Sequence, residues 1–342
     1  MKKLLVGTLC ALIGNTYAVT VTVTQTGCNS GFEAVCTELT SEINKTVNED
    51  LPEVSIGSYG TGIANSTAFA YKGLTSDYSD NYDLFMVRVG GGAAVQGDLN
   101  NMESADGVGI GASATIGVNL DVLPIDKIGF IDLSKMDLMV SFMGYEYEEK
   151  VEDADTSLEI SNFAIMARYQ IIDDISIVPG SLLTWGGVHL HTGFQRSSMK
   201  GSFKQTFDNE TITVSGQTAT LSNTYAKFDL DSTVTTIPVE VSTYLRAGYV
   251  FTFFAGSGFD LVTGSTDVSL TSSGTASGSG SVDQYSANIV ASESDSGDAD
   301  PTNFRAFGGF QFNLPLFRFT VQANKGLGND LFGASVGAKF LW

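Results

Sequence analysis

The sequence predicts an all-β protein, a transmembrane antiparallel β-barrel of about ten strands, with eight or twelve as the neighbouring even counts. A short N-terminal helical segment precedes the barrel. Three observations carry this prediction. Apolar and polar residues alternate over long stretches, as in "GVGIGASATIGVNLDV" at 107–122 and "LFGASVGAKFLW" at 331–342. Hydrophobic residues make up 43% of the chain and charged residues 16%, yet no apolar run approaches the ~20 residues a membrane-crossing helix needs. Glycine and aromatic residues are abundant and proline is scarce (Gly 38, Phe 22, Tyr 12, Pro 6), which suits short turns between long strands.

The first residues have the form of an export signal. Met1-Lys2-Lys3 is a positive start, Leu4–Ile13 is a short apolar stretch, and Thr16-Tyr17-Ala18 offers a cut after Ala18. Residues 1–18 are therefore set aside as a signal peptide. Beyond it Cys28 and Cys36 are the remaining cysteines, and in an oxidising compartment they pair most simply as a disulfide. Residues 19–81 form an N-terminal segment. Within it Phe32, Val35, Leu39, Ile43 and Val47 recur at helical spacing, which predicts a helix near 31–48 that Pro52 stops. Such a helix could plug the barrel, cap it from the periplasm or lie along the membrane. Its acidic polar face favours plug or cap.

The barrel is placed over 82–342, with strands near 82–97, 107–122, 136–148, 157–172, 184–206, 223–245, 249–271, 302–314, 316–325 and 331–342. In the second of these Val108, Ile110, Ala112, Ala114 and Ile116 share one face, and Gly109, Gly111, Ser113, Thr115 and Gly117 the other. The run "GVGIGA" at 107–112 also matches a dinucleotide-binding fingerprint, but that motif needs a helix to follow. The alternation continues here, so the glycines read as small inner-face residues that leave room in the lumen. The joint at Ala247-Gly248 and the turn Leu314-Pro315-Leu316 are tight and fall on one side. The long connections 207–222 and 272–301 fall on the other, the pattern of short periplasmic turns and long outer loops. Residues 272–300 are rich in Ser and Gly and read as a mobile outer loop.

With this signal, this even set of strands and a final Phe340-Leu341-Trp342, the chain resembles the Gram-negative outer-membrane β-barrel proteins, a porin-like class. The resemblance implies a place in the cell outer membrane, with lipid and lipopolysaccharide as surroundings. It also implies that Phe340 and Trp342 belong to a terminal signal read by the barrel assembly machinery.

Parity sorts the charged residues. Arg88, Arg168, Arg246, Arg305, Arg318, Lys339 and Glu240 oppose the apolar faces of their strands and point into the lumen. At the lipid midplane each cationic side chain would cost about 2–4 kcal/mol. Asp83 and Asp121 are placed on the same inner face. The lumen is then either a narrow pore with a positive wall or a space filled by paired charges. His189 and His191, the only histidines, face the same interior as polar wall. Two ligands do not make a metal site, so no metal is assigned. Trp185, Tyr145, Tyr147, Tyr169, Tyr244 and Tyr249 are read as interfacial girdles.

Acidic clusters at Glu146, Glu148, Glu149, Glu152, Asp153 and Asp155, and at Glu293, Asp295, Asp298 and Asp300, fall in outer loops. There divalent cations could be shared with anionic glycolipid. A net charge of −20 argues against nucleic acid as a partner. No nucleophile–base pair can be named, so no enzyme, catalytic residue or cofactor is expected. The leading expectation is a passive channel or transporter for small solutes or hydrophobic molecules. The alternative is a non-conducting structural or adhesive surface barrel.

Overall fold

A computed structural model of the chain describes residues 22–50, 59–78, 84–97, 105–125, 127–129, 131–178, 180 and 182–341, with backbone alone for 46–50 and 341. In chain order the elements are β1 (Thr22–Gly27), α1 (Glu33–Asp50), α2 (Tyr59–Ala70), β2 (Phe85–Gln96), β3 (Gly107–Asn119), β4 (Met136–Val151), β5 (Ala154–Ile172), β6 (Val188–Thr206), β7 (Glu210–Val214), β8 (Gln217–Ala247), β9 (Phe251–Ser279), β10 (Ser286–Asp298), β11 (Thr302–Asn313), β12 (Arg318–Gly326) and β13 (Leu331–Leu341). Ten of these strands close a ring. Sequential antiparallel pairing runs β2-β3-β4-β5-β6-β8-β9-β11-β12-β13, and β13 returns to β2 with Leu341 opposite Met86 and Leu331 opposite Gln96.

The ring turns its apolar parity outward. Val89, Ile116, Phe142, Ile165, Val241 and Phe253 are exposed although large and hydrophobic, while Ser113, Thr115, Ser141, Gln195 and Ser242 of the opposite parity are buried. A continuous apolar girdle of this kind is not stable against water. It is the lipid-facing band of a transmembrane barrel. Exposed Arg196 and Lys325 on the outer face mark where the band ends. At the opposite rim the hairpin between β8 and β9 turns in three residues, 248–250, with Ala247 opposite Phe251, and Gly248 and Tyr249 both take positive φ, 62° and 60°. Nearby, the Leu314 amide donates to the Phe317 carbonyl at 2.8 Å. This rim carries the short joints 248–250 and 314–317 as well as the longer connections 120–135 and 173–187. It is called the inner rim, and the one past which the strands extend the outer rim.

Several strands continue far past the band on the outer side. At ~3.3 Å per residue the 31 residues of β8 reach about 100 Å, several times the thickness of the apolar band. Beyond the membrane β9 leaves β11, its partner over Phe251–Leu261, and pairs with β10 over Ser265–Ser277. Gly264 sits at the switch with φ 138°, where a side chain would press on the Thr233 carbonyl. The outer part of the sheet runs β7-β8-β9-β10-β1.

Residues 272–300, expected to be a mobile loop, are thus mostly strand. The correction lies in parity. Tyr285, Ala287, Ile289 and Ala291 alternate with Ser286, Asn288, exposed Val290 and Ser292 and give this Ser/Gly-rich hairpin an apolar face. Helix α1 covers that face, burying Cys36, Leu39 and Ile43 against it together with Ile212 and Leu221. The Thr40 and Tyr285 hydroxyls are 3.0 Å apart, and the Cys28–Cys36 disulfide ties the start of the helix to the end of β1. The helix predicted near 31–48 therefore forms, but it sits outside the ring at the outer end, as neither a plug nor a cap on the inner rim. Its apolar stripe is satisfied by the outer sheet.

Two smaller expectations also change. The strands expected near 136–148 and 157–172 extend toward each other, so the connection between β4 and β5 is only a turn at Glu152-Asp153. Asp121 lies in an exposed 3-10 turn at the inner rim, because β3 ends at Asn119 and its alternation stops there. Asp83, Trp342 and residues 1–21 lie outside the described residues.

Leu39→Ala should weaken the attachment of α1 by about 2–5 kcal/mol and leave the barrel intact. Limited proteolysis of the membrane-inserted protein should then release fragments from residues 22–50 while residues 84–341 stay protected.

Candidate functional site: the occupied lumen

Residues 59–78 lie inside the ring and run its length. At the outer mouth the Gly60 amide donates to an Asp295 carboxylate oxygen at 3.0 Å, placing a negative charge at the positive end of α2. One turn on, the Asn65 amide group donates to Asp300 at 2.8 Å and Gln96 at 2.9 Å. Further in, the Ser66 hydroxyl donates to the Gly107 carbonyl and that of Ser232 to Thr67. Tyr71 donates to the Ser161 carbonyl at 3.3 Å. At the inner end Tyr78 packs against His191, Phe254 and Phe307, with ring centroids 4.5–6.0 Å apart.

Room for the helix comes from glycine. A Cβ on Gly109 would overlap the backbone of Ser66 and Thr67, one on Gly333 would lie 2.9 Å from the Phe69 ring, and one on Gly111 3.1 Å from the Tyr71 ring. The inner-face glycines of "GVGIGA" are the floor on which the plug rests.

Two charge clusters fasten this plug to the wall. In the first, Lys72 meets Asp260 at 2.8 Å, and Arg305 meets the same carboxylate at 3.2 Å. Arg305 also pairs with Glu240 and donates to Asn324 at 3.1 Å. Glu240 in turn accepts from the Tyr78 hydroxyl at 2.7 Å. In the second, Lys339 meets Asp77 at 2.5 Å and Arg168 meets Asp137 at 2.5 Å. The remaining guanidinium donors of this cluster hold the plug backbone, Arg88 at the Ser76 carbonyl (2.7 Å) and Arg168 at the Asp77 carbonyl (3.1 Å). All of these charged side chains are buried.

Arg88, Arg168, Arg305, Lys339 and Glu240 thus face the lumen and meet the plug. Arg246 and Arg318 are half-buried at the inner rim. His189 and His191 are buried on the inner wall. The ring of His189 stacks on Tyr244 at 5.7 Å, and the Nε2 of His191 lies 2.8 Å from the Ser242 hydroxyl. Tyr244 is correspondingly buried and is not part of an interfacial girdle, since it shares the inward parity of Glu240 and Ser242. Phe340 packs on Phe317 on the outside, centroids 4.5 Å apart. Among the described residues no group of three His, Cys, Asp or Glu is placed to hold a metal ion.

A plug or cap is expected from the segment 19–81 by way of its helix near 31–48; the residues missed by sequence reading are those that fill the lumen, 59–78, with Lys72, Asp77 and Tyr78. Sequence "YGTGIANSTAFA" is surrounded on every side and so has no apolar stripe to betray a helix. Asp260 and Asp137 were legible by the parity rule that found the arginines. Above the plug lies a cavity of about 610 Å³ whose lining includes Glu146, Glu159, Asp231, Asp267, Asp295 and Lys200.

An apolar outside, a charged inside and a closed ring of ten strands define an outer-membrane β-barrel, here with its lumen occupied by its own N-terminal segment. The chain belongs to the Lsa36-like family, whose model matches residues 18–342. No curated protein matches it. Among solved structures it is similar to the translocator domain of the autotransporter NalP from Neisseria meningitidis, at 9% identity and TM-score 0.30, over 81% of this chain and 93% of that one. It is also similar to CarO of Acinetobacter baumannii (9% identity, TM-score 0.27, 77% and 98% covered) and to the attachment invasion locus protein Ail of Yersinia pestis (13%, 0.22, 76% and 99%). Likenesses this loose say nothing of function, and the class rests on the geometry above.

Asp260→Ala would leave Lys72 and Arg305 buried without this shared carboxylate. Removing one partner of such a pair costs about 3–5 kcal/mol. The variant should unfold at clearly lower temperature, whereas Asp260→Asn, which keeps hydrogen-bond acceptance, should lose less. Differential scanning calorimetry in detergent checks the order.

Proposed function

We propose that this protein is a non-conducting outer-membrane barrel that holds a structured platform at the cell surface for adhesion or envelope integrity. The observation that carries this reading is the plug, which fills the lumen and meets strands on every side of the wall. A passive channel, the leading expectation from sequence, would require residues 59–78 to leave partners that compensate their buried charges. The outer sheet supports the platform reading. It extends β8 and β9 far past the membrane, and it keeps α1 in place with a disulfide and a core of its own.

Export by a leader cleaved after Ala18, insertion by the barrel assembly machinery through Phe340 and Trp342, and contact with lipid and lipopolysaccharide belong to this reading. So does sharing of divalent cations with anionic glycolipid near the acidic vestibule.

In a planar bilayer the refolded protein should give no conductance steps. The double variant Lys72→Ala/Asp77→Ala, which releases the plug from both clusters, should give steps. Steps from the unaltered protein would return the assignment to a channel.

A further inference from the structure

We infer that the barrel is the export route of its own N-terminal domain: residues up to Asp50 travel through the ring as unfolded chain, and residues 59–78 are the part of that chain which stops inside. The inference rests on the sidedness used above and goes beyond it. Three observations place the ends of the path. β1 and α1 are packed on the outer sheet, β1 paired to β10 from Thr22 opposite Val290 and α1 buried against Ile289 and Tyr285. Residues 59–78 run from Asp295 at the outer mouth to Tyr244 and Phe254 near the inner rim. The first ring strand, β2, then starts at the inner rim, with Phe85 opposite Val118. The polypeptide therefore passes from outside to inside through a closed ring before it begins to build that ring.

The lumen already holds one helix with side chains in contact all round, and a helix measures about 10–12 Å across. Nothing wider than a single helix or an extended strand passes such a channel. The native disulfide, eight residues apart in sequence, closes a loop no wider than the helix start it belongs to. A folded cap does not fit, and it cannot exist before exit, because its core is completed by residues of β7–β10 on the outer side. Folding there supplies direction, since Leu39, Ile43 and Cys36 gain burial only after they emerge. The stop is supplied by charge. Lys72 and Asp77 reach Asp260 and Lys339 in one register of the chain, and a shift either way would leave buried charges unpaired.

The experiment uses the full-length protein in cells with three epitope positions. These are immediately before Thr22, in the Glu152-Asp153 turn and in the Gly248-Tyr249 turn. The first two should be reached by antibody on intact cells and the third only after permeabilisation. If the 152–153 epitope is also hidden, the sidedness and with it the platform reading fail. If only the N-terminal epitope is hidden, the export inference alone fails. The deciding variant places a small disulfide-closed domain before Thr22. Passage through the ring predicts at least a tenfold loss of its surface display, restored when its cysteines are replaced by serine so that it stays unfolded. Equal display of the closed and the open domain would overturn the inference, showing that the cap crosses before the ring closes.

Discussion

Every charged side chain in this lumen is held by the need to be paired. The ring is filled by its own inner-face side chains and by residues 59–78, so ions on its inner face cannot rely on water. Arg305, Glu240, Asp260 and Lys72 neutralise one another, and Asp77 joins Lys339 beside Arg168, Asp137 and Arg88. Most of each arrangement comes from the wall, and the plug completes it with one charge, Lys72 in the first and Asp77 in the second. The wall alone would be an array of frustrated charge, and the plug alone a weakly helical peptide. Their mutual compensation fixes the register of the N-terminal segment and closes the lumen, and through that the cap is held at the outer mouth.

Much of the barrel was legible because membrane strands obey one rule, apolar out and small or polar in. Parity located all ten ring strands, though β8 and β9 run six and eight residues past the expected 223–245 and 249–271 on the outer side, and it separated Val108, Ile110 and Ile116 from Gly109, Gly111 and Thr115. It also found the lumen arginines, since lipid forbids them elsewhere. Where the rule's two sides are not lipid and lumen, reading failed. Tyr285, Ala287, Ile289 and Ala291 alternate as clearly as any ring strand, yet the Ser and Gly around them suggest a flexible loop. Their apolar side faces a helix distant in sequence, and composition alone does not reveal such a partner. Tyr244 reads as a girdle residue by its type, although its parity with Glu240 already points inward.

A plug or cap was expected from residues 19–81, but the helix that fills the lumen went unrecognised for a different reason. Helices are recognised in sequence by a difference between two faces, and α2 has the same surroundings on all of its faces. Its counterpart was nevertheless present in the glycines of β2, β3 and β13. Small inner-face residues in a barrel announce that something occupies the space they leave, and Gly109 and Gly333 mark the path of α2 from Ser66 to Phe69.

The central claim, that residues 59–78 occupy the ring in the membrane-inserted protein, is tested most directly by tethering plug to wall. The Thr67 and Ser232 hydroxyls are 3.2 Å apart across the lumen, so Thr67→Cys/Ser232→Cys should form a disulfide in the folded barrel, read by mass spectrometry of its peptides. With a plug in place this bond should form nearly quantitatively, and the single variant Thr67→Cys should resist bulky water-soluble thiol reagents. Absence of the bond in the double variant, together with ready labelling of the single one, would contradict the account.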